Sequence, residues 1–133
     1  MQTLTATTVN RHIAVCPKCW RTFCCCRAGH IIVDYTMIDI LRLLNKKGYK
    51  TLYHCGGHIR TREPLFVYVK FSRQVILPDT NKLPTGAGWG YDAYHNQIEY
   101  YNSNLDLNEG DKIRLLSQKH DELLQWAKAL PKR

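Results

Sequence analysis

Two pairs of metal-binding side chains stand out in this chain, and each pair has two residues between its members. Cys16 and Cys19 form a C-x2-C pair, and Cys55 and His58 form a C-x2-H pair. This spacing lets one tight turn direct both side chains at the same ion, and three thiolates with one imidazole make the closed tetrahedral set typical of structural zinc. The sequence therefore predicts one Zn²⁺ ion held by Cys16, Cys19, Cys55 and His58.

A second, local ligand set is available within the cysteine-rich segment. Three consecutive cysteines occupy positions 24–26, and His30 follows them closely. The spacing Cys16-x2-Cys19-x6-Cys26-x3-His30 also fits a tetrahedral site, so thiol use within 24–26 stays open. The alternative ligands are Cys24, Cys26 and His30.

The clustering of the cysteines and the amino-terminal sequence indicate a cytoplasmic protein. Five of the six cysteines lie within residues 16–26, an arrangement that suits metal binding better than a disulfide framework. The first residues have neither a basic start nor an apolar stretch typical of a signal peptide. No apolar run approaches the ~20 residues that cross a bilayer, so we expect no membrane partner.

No catalytic residue is assigned from the sequence, and a non-enzymatic role is favoured. Four protein ligands leave no position for water on the ion, and the H-E-x-x-H and zinc-deaminase signatures are absent. One enzymatic alternative is thiol chemistry at residues 24–26, because Arg21, Arg27 and His30 would lower the pKa of a nearby thiol. An open metal position would be the other.

Positive charge is concentrated in the half of the chain that carries the cysteines. The net charge is +8, and residues 1–60 carry nine Lys or Arg against two Asp or Glu. Such an excess indicates either a binding surface for nucleic acid or another polyanion, or a solvated surface that partly offsets an anionic metal site. The candidate nucleic-acid contacts are Arg11, Lys18, Arg21, Arg27, Lys46, Lys47 and Arg60.

The hydrophobic pattern predicts an α+β fold in which a small, mostly antiparallel sheet packs against two main helices and carries a zinc-knuckle-like Cys/His site. The helices are expected from Asp34, as N-cap, to Gly48 and from about 108 to 130. Strands are expected over 49–54, 65–71 and 97–101. We interpret residues 1–133 as a single domain, with 1–12 as a flexible tail or edge strand and 13–30 as the metal loop.

The order of these features resembles a small uncharacterised family of zinc-binding-like proteins from bacteria and bacteriophages. The matching pieces are Cys16-Pro17-Lys18-Cys19, Leu44-Asn45-Lys46-Lys47-Gly48-Tyr49-Lys50-Thr51, Cys55-Gly56-Gly57-His58, the strand 67–71, and Pro84 with Gly88-Trp89. The resemblance covers roughly residues 13–101 and implies a zinc-bearing α+β fold without an activity. Trp20 and Gly56 replace the Gly and Ser common in that family, and the run at 24–26 is extra.

These observations favour a zinc-stabilised, non-enzymatic protein that binds an anionic partner. The partner would be nucleic acid or a nucleic-acid-binding host protein, in a phage or mobile-element setting, and the protein would be a monomer or homodimer. The alternatives are a phage inhibitor that blocks a host defence complex through protein–protein contact, and a thiol- or metal-dependent enzyme.

Overall fold

The computed structural model describes residues 4–22, 26, 27, 29–60 and 62–133, which form three α-helices and two antiparallel sheets. Their order is α1 (Ala6–Val9), β1 (His12–Val15), β2 (Ile31–Asp34), a 3-10 turn (Tyr35–Met37), α2 (Ile38–Lys46), β3 (Thr51–Cys55), β4 (Leu65–Phe71), β5 (Trp89–Asp92), β6 (Gln97–Asn102) and α3 (Glu109–Ala129). The predicted α+β class with two main helices, α2 and α3, is confirmed. No described helix has the length and apolar character needed to span a membrane.

The larger sheet has the strand order β3-β4-β6-β5, so that the strongly apolar β4 is an inner strand. Alternate side chains of β4, from Leu65 to Phe71, are fully buried, and those between them are half-buried on the opposite face. Leu116 and Leu123 of α3 belong to the same buried cluster. One face of the sheet therefore packs against the helices, and we call the other the open face.

Each main helix has one boundary at the residue that its sequence predicts, the start of α3 at Asn108 and the end of α2 before Gly48. The side chain of Asn108 caps α3 by accepting a hydrogen bond from the backbone nitrogen of Asp111 at 2.8 Å. Gly48 follows the last turn of α2 with φ +93°, a left-handed conformation that favours glycine. A Cβ at position 48 would also lie 2.9 Å from Cβ of Arg133, so the site is too close-packed for a larger residue.

The smaller sheet is a two-stranded ribbon that encloses the cysteine-rich loop. Strand β1 pairs with β2 in the register His12 with Asp34 and Val15 with Ile31. The first described residues, expected as a tail or edge strand, form α1 and the start of this ribbon. Asp34 ends β2 and its side chain does not cap the helical segment that follows, contrary to its expected role as N-cap.

Candidate metal centre

The first cysteine pair lies on a tight turn directly after β1. The backbone nitrogen of Trp20 donates to the carbonyl of Cys16 at 2.7 Å, and the nitrogen of Cys16 donates to the carbonyl of Arg21 at 2.9 Å. The backbone nitrogen of Lys18 lies 3.4 Å from Sγ of Cys16, to which it donates. A backbone N–H directed at the sulfur favours the thiolate form that binds metal.

This turn is anchored to the core through Trp20. Its indole is 5% exposed, and its backbone has φ +61°. The guanidinium of Arg42, on α2, donates to the Trp20 carbonyl at 2.9 Å. The turn that carries both cysteines is therefore held to the core by a buried side chain and to α2 by a hydrogen bond.

A third thiol completes this group within the same loop. The sulfurs of Cys16, Cys19 and Cys26 all lie within 4.8 Å of one another. Three thiolates at Zn–S distances of about 2.3 Å in a tetrahedron would be about 3.8 Å apart, so small side-chain movements would close this group around an ion. The three cysteines Cys16, Cys19 and Cys26, which we call the thiol group, could hold a metal ion.

Only part of the local alternative set joins this group. Cys26 is in it, whereas the exposed His30 is outside it. Cys24 lies outside the described residues. The pairing of Val15 with Ile31 brings both ends of the loop together, which explains how a ligand at position 26 reaches the turn at 16–19.

Of the second predicted pair, Cys55 and His58, only His58 belongs to a group of possible ligands, and that group is separate from the loop cysteines. Sγ of Cys55 is 3.6 Å from Nδ1 of His58, but neither residue forms a group with Cys16 and Cys19 within 4.8 Å. Cys55 ends β3 opposite Tyr68, and His58, three residues later, lies at the end of the β1–β2 ribbon where His12 pairs with Asp34, which we call the far end. The four residues predicted to share one ion are thus brought together as two separate pairs.

At that far end, His58 meets His12 and Asp34. The ligand atoms of these three residues lie within 4.8 Å of one another, and the two imidazole rings have centroids 5.9 Å apart. Nε2 of His12 is 3.1 Å from Oδ1 of Asp34. The backbone nitrogen of Gly56 donates to Oδ2 of the same carboxylate at 2.6 Å.

Two further histidines pack beside this second group, and each forms a hydrogen bond with backbone there. Nε2 of His54 accepts from the backbone nitrogen of Asp34 at 2.9 Å, and burial lowers its pKa despite the nearby carboxylate. Nε2 of His120 donates to the Gly56 carbonyl at 2.6 Å, and burial lowers its pKa as well. His120 is therefore a hydrogen-bonded core histidine, which its place on the apolar stripe of α3 predicts.

The predicted nucleic-acid contacts divide into available and occupied side chains. Lys18, Arg21 and Arg27 are exposed, and within the described ranges no carboxylate lies within ion-pair distance of them. Lys47 is occupied, because its Nζ donates to three backbone carbonyls at the end of α3. Nη1 of Arg60 lies 3.8 Å from Oε2 of Glu63.

Of the other two, Lys46 is exposed on the last turn of α2. The guanidinium carbon of Arg11 lies 4.8 Å from the centre of the Tyr35 ring, which leaves the exposed side of Arg11 accessible.

Sequence reasoning did not identify His12 and Asp34 as possible ligands. They are 22 positions apart, and only the pairing of β1 with β2 makes them neighbours. The signal that the sequence offered was two short apolar runs, Ile13–Val15 and Ile31–Val33, each with a polar residue at the outer end.

No protein-family model, no curated protein and no solved structure matches this chain.

Proposed function

We propose that this protein is a zinc-stabilised domain that binds single-stranded nucleic acid. The observation that carries the proposal is the open face of the four-stranded sheet, where aromatic side chains lie on three adjacent strands, β3, β4 and β6. Tyr53 on β3 is 64% exposed and Tyr101 on β6 is 54% exposed. Aromatic side chains on an uncovered sheet are the usual platform on which proteins stack unpaired bases.

Three rings on this face are in contact through Phe66, and Tyr53 lies beside a lysine. The centroid of Phe66 lies 5.0 Å from that of Tyr68 and 6.0 Å from that of Tyr101. Nζ of Lys70 lies 5.7 Å from the centre of the Tyr53 ring. The rings are inclined to one another, by 39° for Phe66 and Tyr68 and by 77° for Phe66 and Tyr101, so a base would stack on one exposed ring at a time, and at Tyr53 with a cation beside it.

A groove of about 450 Å³ crosses the open face. Among the described residues it is lined only by the sheet and by His95 in the β5–β6 turn. Its two carboxylates are already engaged, since Asp92 lies 2.6 Å from Nδ1 of His95 and Glu99 accepts from Gln97 at 3.1 Å.

The cysteine-rich loop between β1 and β2 supplies the phosphate contacts in this proposal, and we call it the basic loop. Lys18, Arg21 and Arg27 remain available there, and Arg11 and Lys46 add charge elsewhere on the same half of the chain. The thiol group organises the loop, and we propose zinc as its ion, because three thiolates suit zinc in a reducing cytoplasm.

Fluorescence anisotropy with labelled oligo-dT and oligo-U tests the binding surface. Loss of one stacked base costs about 1–3 kcal/mol, so Tyr53→Ala and Tyr101→Ala should each weaken binding roughly fivefold to a hundredfold. Tyr94→Ala is the matched control, because Tyr94 is 87% exposed but lines a different groove with Arg73 and Ile76. Wild-type affinity in both face variants would refute the proposal.

The salt dependence of the same titration tests the phosphate contacts. For single strands the slope of log affinity against log salt changes by about 0.7 for each phosphate contact removed. Arg21→Gln and Arg27→Gln should each reduce the slope by about that amount, whereas Arg73→Gln should not. An unchanged slope in both loop variants would exclude these contacts.

Metal analysis of purified variants tests the zinc assignment. Cys19→Ser and Cys26→Ser should each weaken the thiolate-to-cobalt charge-transfer absorption of the Co²⁺-substituted protein, because each removes one of the three sulfurs of the local group. Cys55→Ser should keep it. The reverse pattern, with loss in Cys55→Ser and retention in Cys26→Ser, would support the set predicted from sequence instead.

A further inference from the structure

We propose that His12, Asp34 and His58 form a second metal site, which takes a divalent first-row transition ion and leaves at least one coordination position open. This site is separate from the thiol group, because its ligands are imidazoles and a carboxylate at the other end of the β1–β2 ribbon. Two histidines and one carboxylate bind Zn²⁺ or Fe²⁺ in many proteins, with the remaining positions left to water or a small oxygen ligand.

The distances among the three residues match what one ion requires. Nε2 of His12 and Oδ1 of Asp34 are 3.1 Å apart, and all three ligand atoms lie within 4.8 Å of one another. Two ligands at about 2.0–2.1 Å from a tetrahedral ion are about 3.3 Å apart. The group is therefore already close to the size of a metal centre.

The carboxylate is held in position by the protein. The Asp34 side chain is 8% exposed, and its Oδ2 accepts from the Gly56 backbone, which directs Oδ1 toward His12. Position 56 must be glycine for this contact, since a Cβ there would lie 2.6 Å from Oγ1 of Thr36 and 2.9 Å from Cγ of Met37. Hydrogen bonds that orient a ligand are characteristic of metal sites, where they fix the direction of the lone pair.

The two histidines differ in exposure and in restraint. One is open to solvent, and the ring of the other is held by a neighbouring side chain. The His12 side chain is 52% exposed, so an ion can enter from solvent. His58 is restrained by Sγ of Cys55 at 3.6 Å from its Nδ1. Cys55 itself lies outside the group of three, so it acts as a positioning residue for the ring.

Another His–Asp pair in this chain shows what an isolated pair looks like. His95 and Asp92 are 2.6 Å apart in the β5–β6 turn, and no third ligand residue among the described ones joins them within 4.8 Å. Two ligands in an exposed turn do not make a site. His95 is therefore a matched control for His12.

Zinc content after saturation and gel filtration tests the proposal on the full-length chain. His12→Gln and His58→Gln should each bind one Zn²⁺ ion fewer per chain than the wild type, and His95→Gln should bind the wild-type number. The Co²⁺–thiolate absorption should be unchanged in all three, because the thiol group is not altered. Wild-type zinc content in both His12→Gln and His58→Gln would overturn the proposal.

A measurement on the unmodified protein keeps the test independent of how the variants fold. Imidazole resonances are followed by NMR while Zn²⁺ is added to chelator-treated protein. The resonances of His12 and His58 should shift together, and those of His95 should not. Saturation of the thiol group with no shift at His12 or His58 would also overturn the proposal.

Discussion

Lys47 joins the ends of the two main helices. Its replacement by methionine tests how much this connection contributes to the free energy of unfolding. Nζ of Lys47 donates to the carbonyls of Ala127, Lys128 and Leu130 at 2.9, 2.6 and 2.7 Å. The last carbonyls of a helix have no partner within the helix and lie at the negative end of its dipole. One ammonium from α2 thus satisfies the end of α3.

The expected cost of Lys47→Met follows from these contacts. A hydrogen bond from a charged donor contributes about 1.5–3 kcal/mol, but the three carbonyls are near the surface and water can replace part of the loss. The helix-dipole interaction adds about 0.3–1 kcal/mol. Methionine keeps most of the apolar stem, so we expect the free energy of unfolding to fall by about 2–3 kcal/mol in total.

Urea denaturation followed by circular dichroism measures this change. With a slope of about 2 kcal/mol per molar urea, the midpoint should fall by roughly 1–1.5 M. Lys46→Met is the control, because the adjacent Lys46 is exposed on the same helix and should change the midpoint by less than about 0.3 M. Equal midpoints for the two variants would refute this account of Lys47 and return it to the surface role that the sequence suggested.

Two further substitutions test the contacts around the Gly56 turn. Gly56→Ala should lower the free energy of unfolding by about 1–3 kcal/mol in urea denaturation because its Cβ would overlap Thr36, while Gly90→Ala, with open space at that position, should have little effect. Burial lowers the pKa of His120 below its usual 6.5, with Gly56 and Asp34 opposing, so the folded protein keeps it neutral while the unfolded chain takes up a proton. The free energy of unfolding should therefore fall, by up to about 1.4 kcal/mol per pH unit for this one group, as the pH drops below about 6.5. His120→Gln retains a donor for the Gly56 carbonyl, and its free energy of unfolding should fall less steeply between about pH 7.5 and about pH 5.5. An equal fall in the variant and the wild type would show that His120 does not control this pH dependence.

Local patterns were sufficient to predict the larger elements. The nearly continuous run of apolar and aromatic residues in β4 predicted its bounds correctly, because such a run is typical of a strand that lies inside a sheet. Asn108 and Gly48 were predicted as helix boundaries because capping depends on residues close in sequence. The pattern could not reveal the short ribbon, since four-residue strands carry too little periodicity to be recognised.

The candidate site could be predicted only in its parts. The C-x2-C and C-x2-H spacings correctly marked two turns rich in ligands, because that spacing is a local property. Which turns meet is a property of strand pairing, and the register of β1 with β2 places His12 and Asp34 beside the second turn. Lys47 was misinterpreted for a similar reason, because its partners are 80 to 83 positions away along the chain.

The β1–β2 ribbon has a mechanical consequence. Cys16 follows one end of β1 and His12 stands at the other, so the two ligand groups terminate a ladder of four residue pairs, about 10 Å long. An ion in the loop would fix the register of that ladder and so hold His12 opposite Asp34 before a second ion arrives. The two ions would then bind cooperatively, and by linkage each would raise the affinity of the other by the same factor.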